Sequence, residues 1–205
     1  MEKLNIFCLV GGIARNSLNR KLFKVVEEMA PDTVTIRTFE INKLPFFSQD
    51  LENDPPDSVI RFKDMIREAD AILFITPEYN RSFPGVLKNA IDWGSRPYGQ
   101  NLWDKKAAGV MGATISTVGT FGAQHHLRQV AAYLNMSVMG QPEFYFNATE
   151  AFDGRGRLIN EKTGEFVKNY WNAFLAWIER VGERKAPMIE GAFPATGQED
   201  SPYAH

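Results

Sequence analysis

Cysteine is almost missing from this sequence of 205 residues, in which Cys8 is the single example. One thiol cannot form a disulfide within the chain, and it cannot furnish a cysteine-rich zinc or iron–sulfur site. Long apolar runs are missing as well, because no stretch approaches the roughly 20 residues that cross a bilayer. Residues 6–10 are apolar and follow Lys3, but the run is short and ends at Gly11-Gly12. It therefore favours a buried strand over a signal peptide, and no membrane partner is predicted.

An excess of basic charge is the third feature that the sequence lacks. Lys and Arg number 23 and Asp and Glu number 25, which gives a formal net charge of −2. Broad nucleic-acid binding usually needs a basic face, so no nucleic-acid partner is predicted. The hydrophobic share of 44% and the charged share of 23% are ordinary for a soluble globular protein. We expect a cytoplasmic protein with one α/β domain, since domains usually hold roughly 100–200 residues.

Apolar runs that are typical of strands alternate along the chain with patterns that are typical of helices. The predicted strands are Leu4–Val10 and residues 34–39, 70–75, 107–113 and 137–139, the last with or without a continuation to Tyr145. Apolar residues at helical spacing follow the strands, as Leu18, Leu22 and Val25 do after the first one. Strands that each precede a helix predict an α/β fold with a doubly wound, five-stranded parallel sheet in three layers.

Two segments depart from this alternation of strands and helices. Residues 40–57 form a long acidic connection. Residues 184–205 carry prolines and show no apolar periodicity. Residues 1–183 are therefore predicted to form the domain, and residues 184–205 a tail that is either disordered or packed on a partner subunit.

The turn after the first strand has the chemistry of a phosphate site. Gly11-Gly12 lets backbone N–H groups approach an anion closely. Ser17 is placed as the N-cap of the next helix, while Arg15 adds a positive charge and Asn19 an amide donor. The turn matches neither a Walker loop nor the spaced glycines of a dinucleotide fingerprint. The alternative is an ordinary turn with a serine cap and a solvated arginine.

The loop after the third strand, residues 76–93, indicates a second part of the same site. Pro77 holds Thr76 in an extended conformation. The amides of residues 78–80 are then free to turn outward, where a rigid loop can present them to a flat heterocycle. Parallel sheets of this kind bind ligands at the carboxyl ends of their strands.

Residues 77–93 read Pro-Glu-Tyr-Asn-x-Ser-x-Pro-Gly-x-Leu-Lys-Asn-Ala-Ile-Asp-Trp, which resembles the signature of NAD(P)H-dependent FMN reductases. That group includes bacterial quinone, chromate and azo-dye reductases of flavodoxin-like fold. Their phosphate loop is usually Gly-Ser-x-Arg-x-x-Ser-x-Asn. The turn of this chain supplies Arg15, Ser17 and Asn19 and has Gly12 in place of the first serine.

The resemblance implies a flavodoxin-like fold that binds FMN, with NADPH or NADH as co-substrate. It places the FMN phosphate at the first turn and the isoalloxazine ring at the later loops. The implied cofactor-binding residues are Gly12, Arg15, Ser17, Leu18 and Asn19, then Pro77, Glu78, Tyr79 and Asn80, and after the fourth strand Ser116, Thr117 and Gly119. Two alternatives stay open: Glu78 as a solvated carboxylate that contributes its backbone alone, and Tyr79 as a packed loop aromatic.

One part of the family pattern is missing. Relatives often carry Gly-Gly-x-Arg-x-Gln-Tyr-His-Leu-Arg after the fourth strand, whereas residues 119–128 lack that Arg and have His125 in place of the Tyr. In some relatives the Arg and Tyr join an intersubunit network with a Glu that matches Glu143. The missing Arg puts a homotetramer in question, while the resemblance still implies a homodimer with FMN near its interface. Adjacent His125 and His126 do not share a helix face, so no metal site is predicted.

The implied activity is that of an enzyme, an FMN-dependent oxidoreductase. It would transfer a hydride from NAD(P)H through FMN to a small-molecule acceptor, either a quinone or an azo, nitro or chromate compound. The cofactor carries this chemistry, so no catalytic side chain is predicted. One alternative is a flavodoxin-like carrier of single electrons, against which the near-neutral charge weighs. Another is a relative that has lost FMN, for which Gly12 in place of serine is the support.

Overall fold

The structure is a computed structural model that describes residues 3–182. The tail predicted over residues 184–205 lies outside this range. In the described part, no helix is both long enough and apolar enough to cross a membrane.

Strands and helices alternate along the chain, as the apolar pattern predicts. The helices are α1 (Leu18–Glu28), α2 (Asp57–Glu68), α3 (Gly85–Ser95), α4 (Phe121–Tyr133) and α5 (Glu161–Val181), and the strands are β1 (Leu4–Val10), β2 (Val34–Thr38), β3 (Ala71–Ile75), β4 (Ala107–Met111), β5 (Ala113–Thr114), β6 (Ser137–Val138) and β7 (Phe146–Asn147). Two short 3₁₀ helices, Ile41–Lys43 and Gln49–Leu51, lie in the acidic connection.

Five of the strands form one parallel sheet in the order β2-β1-β3-β4-β6. Both β3 and β4 are buried along their whole length, which explains their unbroken apolar runs, since central strands of a parallel sheet are covered on both faces. This strand order is that of flavodoxin-like folds. The predicted fold class is confirmed.

The helices cover the two faces of the sheet and complete three layers. One face packs against α1 and α5 through a core that includes Leu22, Val26 and Phe174. The other face packs against α2, α3 and α4 through a second core that includes Phe62 and Trp93. Burial of these apolar side chains is the main stabilising contribution to the fold.

Two predicted strand ends differ from the structure. The strand predicted over residues 107–113 stops at Met111, and Ala113–Thr114 belongs to a separate two-stranded sheet with Phe146–Asn147. Gly112 marks the break, because a Cβ there would lie 2.3 Å from the carbonyl oxygen of Thr76. The strand that starts at Ser137 ends at Val138 and does not continue to Tyr145.

The order of the sheet reverses between β1 and β3, since β2 lies on one side of β1 while β3 and β4 lie on the other. Ligands of doubly wound folds bind in the crevice at such a reversal, beyond the carboxyl ends of the strands. The connections that leave β1, β3 and β4 meet at this edge. They carry the residues that the sequence singles out.

Candidate functional site

Three loops meet at the carboxyl edge of the sheet: the β1 loop (residues 11–17), the β3 loop (residues 76–84) and the β4 loop (residues 112–120). Hydrogen bonds continue the sheet into them. The N–H of Gly11 donates to the carbonyl of Ile75 at 2.8 Å, and the N–H of Thr76 donates to the carbonyl of Met111 at 2.9 Å. The three loops therefore start from a fixed base.

The β1 loop folds tightly onto the start of α1. Ser17 is the N-cap, and its hydroxyl accepts a hydrogen bond from the N–H of Arg20. A Cβ on Gly12 would lie 2.2 Å from the hydroxyl oxygen of Ser17, so only glycine leaves room for this cap. No acidic residue stands in the first turn of α1. The N–H groups and dipole at this end of α1 are therefore suited to an anion.

Asn19 joins the start of α1 to the β4 loop. Its side-chain amide donates to the carbonyl of Ala113 at 3.0 Å, and its carbonyl oxygen accepts from the N–H of Ala113 at 2.9 Å. The side chain is 2% exposed. One amide hydrogen of Asn19 is thus occupied in bracing two loops, and its predicted contact with a phosphate stays a prediction.

The remaining residues of this segment differ in exposure. Arg15 is exposed, and Leu18 is half-buried at the first position of α1. The family pattern has its arginine three residues before the serine, whereas Arg15 stands two residues before Ser17. Sequence reasoning missed Arg20, whose guanidinium donates to the carbonyl of Gly12 at 3.2 Å. Its position, three residues after the N-cap and so one turn into α1, is the signal that could have found it.

The β3 loop contains a tight turn held by its own backbone. Tyr79 and Ser82 exchange two N–H to carbonyl hydrogen bonds, at 2.9 and 3.0 Å. Asn80 and Arg81 have φ values of 52° and 65°, the left-handed pair that a two-residue hairpin turn requires. Asparagine tolerates this conformation, whereas arginine adopts it at a cost. Pro77 is buried at the base of the loop.

The carboxylate of Glu78 connects the β3 loop to α4. It is 10% exposed, and it accepts a hydrogen bond from the N–H of Ala123 at 3.1 Å. Arg81 lies at its solvent side, with 3.5 Å between Nη1 and Oε1. Glu78 is therefore not a solvated side chain, while the alternative that it offers a ligand its backbone alone stays a prediction. Tyr79 is 54% exposed beside it and is not a packed loop aromatic either.

The β4 loop presents exposed polar residues above a buried base. Ser116 and Thr117 are exposed, whereas Gly119 is buried. Gly119 has a φ of 60°, and a Cβ there would lie 2.6 Å from the backbone of Tyr145. Thr120 follows with a φ of 68° and no exposed surface. For a β-branched residue this is strained backbone, which is common at functional sites.

A polar network lies beside the β4 loop. The hydroxyl of Tyr145 donates to the carboxylate of Glu143 at 2.7 Å and lies 3.1 Å from Nε2 of His125. Burial, together with the hydrogen bond to Glu143, raises the pKa of Tyr145 to about 12. Glu143 thus has partners within its own chain, and the tetramer question stays open. In the described residues, no group of His, Cys, Asp and Glu side chains is arranged to hold a metal.

The predicted residues therefore divide into two kinds. In the first kind, Asn19 and Glu78 use their side chains to join separate segments. Also in the first kind are the helix cap Ser17, the half-buried Leu18, the buried Pro77, and Gly12 and Gly119, which make room for close contacts. The exposed members are Arg15, Tyr79, Asn80, Ser116 and Thr117. The first kind builds the edge, and the second kind is available to a ligand.

Comparison with known proteins shows which family this chain resembles along the loops of the candidate site. The family model described as NADPH-dependent FMN reductase matches residues 4–151, which contain all three loops. A 2-hydroxy-1,4-benzoquinone reductase of a Burkholderia species is 40% identical over 176 residues, covering 85% of this chain and 96% of the relative. A quinone reductase of Pseudomonas putida is 42% identical over 177 residues, covering 85% of this chain and 95% of the relative.

A solved structure matches with a TM-score of 0.84 and 41% sequence identity. It is FerB from Paracoccus denitrificans, described as a flavoenzyme NAD(P)H:(acceptor) oxidoreductase, and the match covers 88% of this chain and all of FerB. The similarity thus extends over most of the described fold.

Proposed function

Because this chain belongs to the NADPH-dependent FMN reductase family, we propose that it reduces quinones with NAD(P)H as the electron donor and FMN as the cofactor. The observation that carries this function is the family match over residues 4–151, which include every loop of the candidate site. Relatives at 40% and 42% identity are named for quinone reduction. The chain is an oxidoreductase that acts on a small-molecule acceptor. Azo, nitro and chromate acceptors stay predictions.

The β1 loop fits the phosphate of FMN. Because Gly12 has no Cβ, the hydroxyl of Ser17 packs directly against its backbone, and the first turn of α1 offers N–H groups with no acidic competitor. A phosphate at a helix N-terminus is stabilised by those groups and by the dipole. We propose that the residues that hold it are Gly12, Arg15, Ser17, Leu18 and Asn19.

The β3 and β4 loops fit a flat ring system. Both are tied to the sheet edge, and Glu78 ties the β3 loop to α4, which follows the β4 loop directly, so that both loops are held in place before any ligand arrives. Such preorganisation reduces the entropy lost on binding. The N–H of Tyr79 is bonded to the carbonyl of Ser82, so it is not free to turn outward in the way that the sequence predicted. The residues proposed to line the isoalloxazine ring are Pro77, Glu78, Tyr79 and Asn80, with Ser116, Thr117 and Gly119 on the opposite loop.

When bound, FMN supplies the redox chemistry, since it takes a hydride from NAD(P)H and passes the electrons to the acceptor. The contribution of this chain is position. Thr76 donates its hydroxyl hydrogen to the carbonyl of Pro77 at 2.8 Å, which fixes the base of the β3 loop. The half-exposed ring of Tyr79 stands at the mouth of the site, where it can cover a planar acceptor.

A mixing experiment tests the proposed function. Purified protein with FMN should oxidise NADH or NADPH, and it should do so faster when benzoquinone is added. Retained FMN without oxidation of either nucleotide would instead identify a carrier of single electrons. A protein that takes up no FMN would contradict both the proposed reductase activity and the role of an electron carrier.

We also propose that the protein forms a homodimer through a groove on its surface. A homodimer is supported by a groove of about 550 Å³ between α3 and α4, lined by Phe83, Ile91, Val130 and Tyr133 among others. Tyr133 is 87% exposed there beside other apolar residues of the groove, and a continuous apolar surface of this kind is typical of protein–protein contacts. Sedimentation velocity of the protein and of Tyr133→Glu tests this, because a dimer through this groove should dissociate in the variant. A cytoplasmic location stays a prediction.

A further inference from the structure

The N-terminus of α4 has no cap from its own segment. Thr120 is the N-cap residue, yet it makes no side-chain capping hydrogen bond and adopts a left-handed conformation. The first turn of α4 contains no acidic residue. A helix start usually finds a side-chain acceptor close by in sequence. Here the acceptor comes from Glu78, which is 45 residues away from Ala123 along the chain.

Glu78 reaches α4 because Gly122 leaves it room. A Cβ on Gly122 would lie 3.3 and 3.4 Å from the two carboxylate oxygens of Glu78, and 2.9 Å from the carbonyl oxygen of Arg81. The carboxylate also lies at the positive end of the helix dipole, where a negative charge is stabilised. The turn of the β3 loop is thus seated directly on the first turn of α4.

A second contact fastens the far end of the same turn. Nδ1 of His126 lies 3.1 Å from the hydroxyl oxygen of Ser82. Between Glu78 and Ser82 stand Tyr79, Asn80 and Arg81, which are all exposed. The exposed part of the turn is therefore held at both ends by one helix.

We infer that the carboxylate of Glu78 is a positioning residue for the reaction, which orients the turn 79–82 toward the acceptor by capping α4. This rests on the proposed function, because it assigns a task within the same site. The carboxylate acts through the backbone of the turn, and the part of Glu78 that is proposed to line the ring is its backbone, which both Glu78→Ala and Glu78→Gln retain. The acceptor's Michaelis constant should therefore depend on Glu78, since small displacements of a positioning group have large kinetic effects.

Three variants separate this role from others. Glu78→Ala removes the cap, Glu78→Gln keeps an oxygen for the N–H of Ala123 while it removes the charge, and Gly122→Ala pushes the turn away while it keeps the carboxylate. Glu28→Gln is the matched control, because Glu28 is an exposed carboxylate at the end of α1. Amide hydrogen exchange of residues 79–82 is measured with and without FMN, and the KM for benzoquinone and kcat are measured on the FMN-loaded enzyme.

In Glu78→Ala and Gly122→Ala we expect exchange of residues 79–82 to rise about tenfold and KM to rise about tenfold, with kcat within about threefold of the parent. Glu78→Gln should restore both the exchange rate and the KM to nearly the values of the parent. The pH profile of kcat should not move in any variant. Unchanged exchange and KM in Glu78→Ala would overturn the inference. So would a KM change without an exchange change, or a shifted pH profile, since each would mean that Glu78 acts directly on the ligand.

Two outcomes distinguish this inference from the proposed function. If the parent protein oxidises no NAD(P)H, the proposed function fails, while exchange in the protein without FMN still measures the cap. If the parent is active and the amide exchange rate of residues 79–82 is the same in the Glu78 variants as in the parent, only the positioning role fails. Should Glu78→Ala not fold, Glu78→Gln and Gly122→Ala decide the question by the same measurements.

Discussion

The β1 loop and the β3 loop lie side by side at the same edge, yet they are built in opposite ways. Directly after the β1 loop, at the start of α1, Asn19 turns inward and is 2% exposed, with both ends of its amide on the backbone of Ala113. In the β3 loop one side chain, Glu78, turns inward, and the three residues after it are exposed. The first segment is braced by the two buried hydrogen bonds of Asn19, and the second by two contacts with α4, those of Glu78 with Ala123 and of Ser82 with His126.

This difference shows that one motif can contain both bracing residues and exposed residues, which the sequence alone does not distinguish. Asn19 and Arg15 belong to one motif, but Asn19 holds the protein together whereas Arg15 is exposed. Substitution of a bracing residue should change stability, and substitution of an exposed residue should change ligand binding alone. Substitution of one residue of each kind, followed by measurement of stability and of ligand binding, tests this difference between the two loops.

Asn19→Ala should have the largest effect. It leaves the N–H and the carbonyl of Ala113 without their partners in a buried place, and each unmet group costs about 1–3 kcal/mol. We expect the free energy of unfolding of the FMN-free protein to fall by about 3 kcal/mol, as measured by urea denaturation. Asn16→Ala, in the same loop and exposed, is the control and should change it by less than about 0.5 kcal/mol. Equal losses in the two variants would contradict the bracing role.

Arg15→Ala should spare stability and weaken binding. The side chain is exposed, so unfolding should be unaffected within about 0.5 kcal/mol. Loss of one charged contact with a phosphate should lower FMN affinity about tenfold, with a weaker effect at high salt. Titration with riboflavin, which lacks the phosphate, is the control, because Arg15→Ala should bind it as the parent does. An equal loss for riboflavin would remove Arg15 from the phosphate site.

The difference between the loops also marks how far the sequence could be interpreted. The sequence located every strand of the main sheet, and β3 and β4 most plainly, because buried parallel strands leave an unbroken apolar signal. The bracing contacts gave no such signal. The bond from Ala123 to Glu78 joins residues 45 apart and that from Asn19 to Ala113 joins residues 94 apart. Such pairs depend on the packing of loops, which local pattern does not encode. The break at Gly112 was missed for the same reason, since the close approach of Thr76 and Thr120 to this glycine joins segments that are distant in sequence.

Arg81→Gly tests the strain in the β3 loop. Arg81 has a φ of 65°, which glycine adopts without steric cost. We expect the variant to be more stable by about 1 kcal/mol, because the strain it relieves is of that order. Asn80→Gly is the matched control at a φ of 52°, and it should gain only a few tenths of a kcal/mol since asparagine tolerates the left-handed region. Paired thermal and urea denaturation curves decide between the two. A destabilised Arg81→Gly would show that the guanidinium beside Glu78 contributes more than the strained backbone costs.

Tyr79→Ser should have as little effect on stability as Arg15→Ala, and it applies the same test to the β3 loop. The ring of Tyr79 is 54% exposed, and its backbone bonds to Ser82 do not need the side chain. The free energy of unfolding of the FMN-free protein should therefore stay within about 0.5 kcal/mol of the parent. If the ring covers a planar acceptor, the KM for benzoquinone should rise several-fold, because an aromatic contact contributes about 0.5–1.5 kcal/mol. Tyr79→Phe should keep the parent KM, since the contact is made by the ring. A loss of stability in Tyr79→Ser comparable to that in Asn19→Ala would show that the β3 loop is braced by its exposed residues too, and the contrast between the two loops would not hold.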